Sequence, residues 1–254
     1  MTEIEKGKSI YTPEIKIFSA EAVDHFVADA IVKQINNQPE SVFIMPTGAT
    51  PLGMYANLVE AYQQGLVNFQ GVTFFNLDEY WPIQHNHQGS YTRYMEENFY
   101  RKTNFPPENK FIPEGEATDP DTEALHYGTI LRCFLADMAI LGIGPGKTCH
   151  IGFNEIGSLR ESRTRYVPLS EDTKVVNSRF FLNPTEIPAG TITLGIADIL
   201  EAKKIILIAK GETKAWGIWR MLKGEIGQDA PASYLRLHPQ VTVILDQEAG
   251  SLIK

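Results

Sequence analysis

The sequence has few cysteines and no long apolar run, and each shortage argues against a class of protein. Its 254 residues include two cysteines, Cys133 and Cys149, which are too few for a disulfide framework and favour a reducing compartment. No apolar stretch reaches the roughly 20 residues that a membrane-spanning helix needs. The N-terminus also lacks an apolar signal core. We therefore predict a cytoplasmic protein.

Positive charge is in short supply as well. The chain has 23 Lys and Arg against 31 Asp and Glu, which gives a formal net charge of -8. Nucleic acids and anionic membranes are bound by basic surfaces, so we expect neither as a partner. A small anionic substrate remains compatible, because a few local donors outweigh the global charge at short range. Whether the chain forms a homo-oligomer is left open.

Several catalytic signatures are missing. No Gly-Lys-Ser/Thr triplet follows the loop at Thr47, so it is not a Walker loop, and there is no GxSxG elbow of a serine hydrolase. His85 and His87 have no cysteine or second acidic pair placed to complete a zinc shell. We therefore predict no metal site.

Short apolar runs alternate with longer amphipathic stretches. This alternation predicts an α/β fold of Rossmann-like type, with a mostly parallel sheet and helices on both faces. No shift in composition marks a boundary, so residues 1–254 are predicted to form a single domain. The predicted strands are 15–18, 41–45, 71–77, 138–144, 191–196, 204–210 and 241–245, and the predicted helices are 20–35, 51–62, 120–136 and 211–223.

Ligands of such sheets bind beyond the carboxyl ends of the strands, so the loops that follow strands carry the candidate residues. Thr47, Gly48, Ala49 and Thr50 lie between a buried strand and a helix start, where hydroxyls and free amides form an anion site. The alternative is a tight turn with Thr50 as the helix N-cap.

Two carboxylates follow the next strand directly. A charge at the end of a buried strand is costly without a purpose or a partner, and a carboxylate there suits proton abstraction next to a carbonyl. Asp78 is therefore a candidate base, with Glu79 beside it. Capping of a helix, or an ion pair with an arginine, would explain Asp78 equally well.

The glycine-rich loop after strand 138–144 leads to His150 and then Glu155. A histidine near a carboxylate can move protons at neutral pH, although a purely structural histidine is as compatible with the pattern. Arg179 and Lys214 are separated basic residues, and Lys214 lies near a predicted helix start that could hold a phosphate. An exposed helix lysine is the alternative for Lys214.

Together these loops resemble the glucosamine-6-phosphate deaminase family. The matching stretches run in the family's order from about residue 40 to 240: MPTGATPLGMY, FNLDEY, GIGP…HIGFNE, SRTR, NSRFF, GIADILEAKKIILIAKG and LRLHP. The resemblance implies conversion of glucosamine 6-phosphate and water to fructose 6-phosphate and ammonia, without a metal or organic cofactor. It also implies that Asp78 moves a proton between sugar carbons 2 and 1.

The same resemblance assigns the remaining candidates. It implies that His150 helps to open the sugar ring with support from Glu155, and that the Thr47–Thr50 loop, Arg179 and Lys214 hold the phosphate. Three departures stand beside it: Gly146–Cys149 carries no acid before the histidine, Ile156 replaces a usual proline, and Val167 replaces a lysine of an allosteric site. A 6-phosphogluconolactonase-like hydrolase and a catalytically weak sugar-phosphate binding protein are the alternatives.

Overall fold

The computed structural model describes residues 9–169, 181, 183 and 186–253. Its strands are β1 (Glu14–Phe18), β2 (Val42–Met45), β3 (Thr73–Asn76), β4 (Asp78–Trp81), β5 (Lys110–Phe111), β6 (Met138–Gly142), β7 (Arg165–Pro168), β8 (Gly190–Thr193), β9 (Lys204–Ala209) and β10 (Val241–Asp246). Its α-helices are α1 (Ala20–Asn37), α2 (Leu52–Gln63), α3 (Tyr91–Asn98), α4 (Pro120–Phe134), α5 (Ile196–Leu200) and α6 (Ala215–Lys223).

Seven strands form the main sheet, in the order β1-β10-β9-β6-β2-β3-β5. Every neighbouring pair in this sheet is parallel. Successive side chains of its strands enter opposite cores, as a sheet buried on both faces requires. On β9, for example, Leu207 packs in one hydrophobic cluster, which also contains Ile218 of α6, whereas Ile208 packs in the other, which also contains Val27 of α1. The predicted fold class is confirmed.

A second, smaller sheet was not predicted. β4, β8 and β7 form an antiparallel sheet in the order β4-β8-β7. The strand predicted at 191–196 is β8 of this sheet, but it is shorter than predicted: β8 ends at Thr193, and Ile196 begins α5. β4 was read as a loop because it opens with two carboxylates, which usually lie outside strands.

The strand order determines where the candidate loops lie. β9, β6, β2 and β3 are consecutive neighbours in the main sheet, and the four loops singled out in the sequence follow these four strands. Because the strands are parallel, their carboxyl ends lie at one edge of the sheet. In the part of the chain that the structure describes, no helix is both long and apolar enough to cross a bilayer.

Candidate active site

A cleft of about 480 Å³ lies at this edge of the main sheet. Seven of the nine predicted site residues line it, namely Thr47, Gly48, Ala49, Thr50, Asp78, His150 and Lys214. Glu155 is not among the lining residues, and Arg179 lies outside the described part of the chain. The cleft thus brings together residues from all four strand-end loops.

The Thr47–Thr50 loop leads into α2, and two tyrosine hydroxyls bind one of its backbone carbonyls and that of the preceding residue. The Tyr94 hydroxyl donates to the Gly48 carbonyl at 2.8 Å, and the Tyr55 hydroxyl donates to the Pro46 carbonyl at 2.8 Å. Gly48 has a φ of 94°, a left-handed conformation that glycine adopts without strain. The N-cap of α2 is Pro51, and no side chain among the described residues caps the helix, so the alternative of Thr50 as the N-cap was wrong. The first amides of α2 are therefore open to an anion.

Asp78 is a buried carboxylate at the cleft wall. It is 6% exposed, and burial, reinforced by the negative charge of Glu79, raises its pKa to about 8. Its Oδ2 lies 3.4 Å from where a Cβ on Gly152 would be, so the carboxylate sits over the loop that carries His150. Asp78 forms no ion pair with any residue in the described ranges, so pairing with an arginine does not explain it there.

Glu79, rather than Asp78, serves the neighbouring helix. The backbone amides of Tyr91 and Thr92, at the start of α3, donate to its carboxylate at 2.9 and 2.8 Å. The hydroxyls of Ser90 and Thr92 add bonds of 2.9 and 3.0 Å, and the Tyr80 amide adds one of 2.9 Å. Burial raises the pKa of Glu79, and these hydrogen bonds oppose that rise. Glu79 thereby fixes Tyr91, which lines the cleft next to Asp78.

His150 packs closely against the glycine-rich loop. A Cβ on Gly144 would lie 2.2 Å from its Cε1, so only glycine leaves room for the ring. Its Nδ1 is buried and has no hydrogen-bond partner in the described structure. The described residues therefore leave His150 without the full set of hydrogen bonds that a satisfied structural histidine would have. Burial lowers the pKa of His150 to about 4; the charge of Glu155 opposes this shift and that of Lys214 adds to it.

Lys214 lies at the start of α6, as its position in the sequence predicted. Its side chain is half-buried, and its Nζ donates to the carbonyl of Ile143 at 2.5 Å, which ties it to the loop after β6. The alternative of an exposed helix lysine is therefore wrong. Lys214 contributes an ammonium group to the same cleft as the open amides of α2.

Residues 18–244 match the model of a family described as glucosamine-6-phosphate isomerases/6-phosphogluconolactonase. The chain belongs to this family. The match covers most of the chain and includes all nine predicted site residues. The resemblance inferred from the ordered motifs is thus confirmed at the level of the family.

Within the glucosamine-6-phosphate isomerase/6-phosphogluconolactonase family, the chain is more similar in sequence to relatives named as deaminases than to a solved lactonase. A glucosamine-6-phosphate deaminase of Thermoanaerobacter pseudethanolicus is 43% identical over 227 residues, covering 89% of this chain and 89% of the relative. One of Halothermothrix orenii is 43% identical over 224 residues, covering 88% and 92%. The solved structure of a monomeric glucosamine-6-phosphate deaminase superposes with a TM-score of 0.91 at 36% identity, covering 94% of this chain and 99% of the other.

The lactonase branch of the family is more distant. A 6-phosphogluconolactonase of Trypanosoma brucei superposes with a TM-score of 0.75 at 20% identity, covering 96% of this chain and all of the other. At this identity the likeness shows a shared fold and carries no argument about substrate. The curated deaminases are about twice as similar in sequence.

Sequence reasoning missed several residues around the cleft. Tyr91 and Lys210 both line it, and neither was singled out. A capping signal at Ser90, whose side chain accepts from the Arg93 amide, could have revealed α3 and hence Tyr91. Lys210 could have been noticed as a second cation four residues before Lys214.

The expectation about His85 also needs correction. Outside the cleft, the structure groups His85 with Glu114 and Glu116, so two acidic residues do lie beside it. The His85 Nε2 is 2.6 Å from a carboxylate oxygen of Glu114, a direct hydrogen bond within an exposed group. The sequence did not reveal this group because Glu114 is 29 positions away along the chain.

Proposed function

We propose that this protein is a glucosamine-6-phosphate deaminase, which converts glucosamine 6-phosphate and water to fructose 6-phosphate and ammonia. The observation that carries the proposal is the shared cleft: a buried carboxylate with a raised pKa, a histidine and an open helix start with a lysine all line it. This set provides a base, a neutral proton carrier and an anion site within one cavity. The similarity to deaminases at 43% identity supports the same reaction.

Asp78 is the proposed base for the isomerisation step. A carboxylate whose pKa is raised is a stronger base once ionised than an ordinary aspartate, which suits removal of a weakly acidic proton from carbon. In the proposed reaction it takes the proton from carbon 2 of the open-chain sugar and delivers it to carbon 1. Water then adds to the resulting iminium at carbon 2, and loss of ammonia leaves the ketose.

His150 is the proposed group for ring opening. With a pKa near 4 its imidazole is neutral at physiological pH, so it can accept a proton from one sugar oxygen and pass one to another. Its Nδ1 has no hydrogen-bond partner in the described structure, which supports this role, because no such bond holds the imidazole in a single tautomer. Glu155 is proposed to support the imidazolium form, since its charge raises the pKa of His150.

The phosphate is proposed to bind where the Thr47–Thr50 loop enters α2, with Lys214 and Arg179 as cations. Open helix amides and an ammonium group recognise a phosphate dianion through charge-assisted hydrogen bonds. Binding energy gained there, away from the reacting carbons, orients carbons 1 and 2 over Asp78.

We further propose that residues 1–254 act as a single domain in the cytoplasm. The cleft combines loops that follow β2 and β9, from opposite halves of the chain, which supports one folding unit. Cys133 and Cys149 are both unpaired, which suits a reducing compartment.

Ammonia release from glucosamine 6-phosphate tests the function directly. We expect steady ammonia formation with equimolar fructose 6-phosphate, and a panel including galactosamine 6-phosphate defines the preferred aminosugar. Hydrolysis of 6-phosphogluconolactone without any ammonia release would show that the protein is a lactonase and not a deaminase. Tight binding of fructose 6-phosphate without turnover of any panel member would instead indicate a binding protein.

A further inference from the structure

Lys210 is a second cation of the cleft, and it forms a largely buried ion pair with Asp24. It follows β9 directly and lines the same cavity as the Thr47–Thr50 loop and Lys214. Its Nζ lies 2.7 and 2.6 Å from the two carboxylate oxygens of Asp24 on α1. Both side chains are largely buried, at 21% and 13% exposure, so this pair is shielded from solvent in a way that a surface ion pair is not.

A glycine on the helix beside the cleft makes room for this pair. A Cβ on Gly53, the second residue of α2, would lie 2.0 Å from Oδ2 of Asp24 and 2.4 Å from its Cγ. The carboxylate therefore rests against the first turn of α2, the same turn whose amides no side chain of the described residues caps. Three segments, α1, α2 and the loop after β9, together place the Lys210 ammonium beside the proposed phosphate position.

The loop that carries Lys210 is itself anchored. The Gly211 amide donates to Oδ2 of Asp246 at 2.8 Å, and the same buried aspartate accepts from the Ala249 amide at 2.7 Å. Gly211 has a φ of 87°, which turns the chain sharply between the two lysines. Lys210 and Lys214 thus enter one cleft from the two ends of a single fixed turn.

We infer that Lys210 is a further ligand of the substrate phosphate, and that Asp24 is the counter-ion that holds it in place and competes with the phosphate for it. This inference rests on the proposed function for the identity of the anion. An ammonium group has three donors, and Asp24 engages it with both oxygens, so one donor direction remains. A sugar phosphate carries a charge of about -1.5 to -2 at neutral pH. It therefore outcompetes a single carboxylate once helix amides and Lys214 also bind it.

The two partners of the pair then have opposite effects on anion affinity. Removing the cation in Lys210→Met should weaken binding of inorganic phosphate and of fructose 6-phosphate at least fivefold. Removing the competing charge in Asp24→Asn should tighten binding of both, by about twofold or more. If the Lys210–Asp24 pair only held α1 against β9, the result would differ. Loss of either partner would then lower stability and weaken anion binding in parallel.

Isothermal titration of the full-length protein with inorganic phosphate and with fructose 6-phosphate, at pH 7 and low salt, measures these affinities without turnover. Lys203→Met is the matched control, because Lys203 forms a 2.7 Å pair with Asp137 at the opposite end of β9. Its phosphate affinity should equal that of the wild type. Lys210→Arg, which keeps the charge, should recover at least half of the lost binding energy.

Two results would overturn the inference. One is an unchanged phosphate affinity in Lys210→Met; the other is equal weakening in Lys210→Met and Asp24→Asn with parallel losses in thermal stability. Failure of the deaminase proposal would look different, because the wild type would then release no ammonia while the titrations still reported on Lys210.

Discussion

Asp78 and Glu79 are neighbours in the chain, yet only Asp78 lines the cleft, while Glu79 is fully buried and accepts from the start of α3. Their separation follows from strand geometry, because successive side chains of β4 point to opposite faces. The Glu79 carboxylate thus accepts five hydrogen bonds, whereas the Asp78 carboxylate faces the cleft, where substrate would bind. The negative charge of Glu79 also helps to raise the pKa of Asp78.

The pH dependence of activity should reflect the raised pKa of Asp78. A base acts in its ionised form, so we expect kcat/KM to rise with pH with a midpoint near pH 8. An aspartate with an ordinary pKa would give no such limb between pH 6 and 9. Initial rates of ammonia release across this range measure the profile, and a flat profile would contradict the assignment.

Stability should depend on the same group. The folded-state pKa of Asp78 is raised from 3.8 to about 8, so the folded form loses stability as pH rises through this interval. Asp78→Asn removes the penalty, and its melting temperature should exceed that of the wild type by several degrees above pH 8, since each pKa unit corresponds to about 1.4 kcal/mol.

Calorimetry from pH 4 to pH 9 measures this difference between Asp78→Asn and the wild type. The difference should shrink steadily toward pH 4, because the carboxyl is then neutral in the folded state and its unfolded-state pKa of 3.8 is being approached. Asp29→Asn, an exposed position on α1, is the control and should show little change at any pH. A variant of Asp78 that is less stable than the wild type at pH 8 would contradict the raised pKa.

Replacing Glu79 should weaken the anchor of α3. The amide of Glu79→Gln has one acceptor oxygen in place of two and brings an NH2 group against backbone donors, so we expect a loss of about 2–4 kcal/mol. Glu97→Gln on the same helix breaks only an exposed pair with Arg93, and about 0.5 kcal/mol is expected there. Urea denaturation compares the two.

The same Glu79 variant makes a kinetic prediction. Because the charge of Glu79 helps to raise the pKa of Asp78, its removal should move the midpoint of the pH–rate profile to lower pH. Equal stability losses in Glu79→Gln and Glu97→Gln, or an unshifted midpoint, would count against the proposed arrangement.

Gly144 should be required for the placement of His150. A methyl group there would collide with the imidazole, so Gly144→Ala should lower kcat by tenfold or more, since small displacements of catalytic groups are costly. Gly227→Ala is the control, because a Cβ there meets no atom of the described residues within 4 Å. Steady-state kinetics measures kcat for both variants and the wild type. Wild-type kcat in Gly144→Ala would show that the ring position is unimportant.

Local signals in the sequence were sufficient for six of the seven strands of the main sheet, but not for the two-residue strand β5. Apolar runs such as that of β9 alternate with amphipathic stretches, and glycine or proline marks the loops that follow, so these strands and the loops at Thr47, His150 and Lys214 could be predicted. These loops meet because parallel strands end at one edge, which is a general rule rather than a property of particular residues.

Features that depend on distant partners could not be predicted. The role of Glu79 follows from donors 11 to 13 positions away, and the Lys210–Asp24 pair joins residues 186 positions apart. β4 was missed for the same reason, because two carboxylates are compatible with a buried strand only when their surroundings are known. The raised pKa of Asp78 likewise arises from tertiary burial.

Proton exchange at carbon 1 of fructose 6-phosphate tests the role of Asp78 most directly. In D2O, the wild-type protein should incorporate deuterium at this carbon, as followed by NMR, without any requirement for the amine. Asp78→Asn should bind fructose 6-phosphate with nearly unchanged affinity and incorporate none. Deuterium incorporation by Asp78→Asn at the wild-type rate would contradict the assignment of Asp78 as the group that moves the proton.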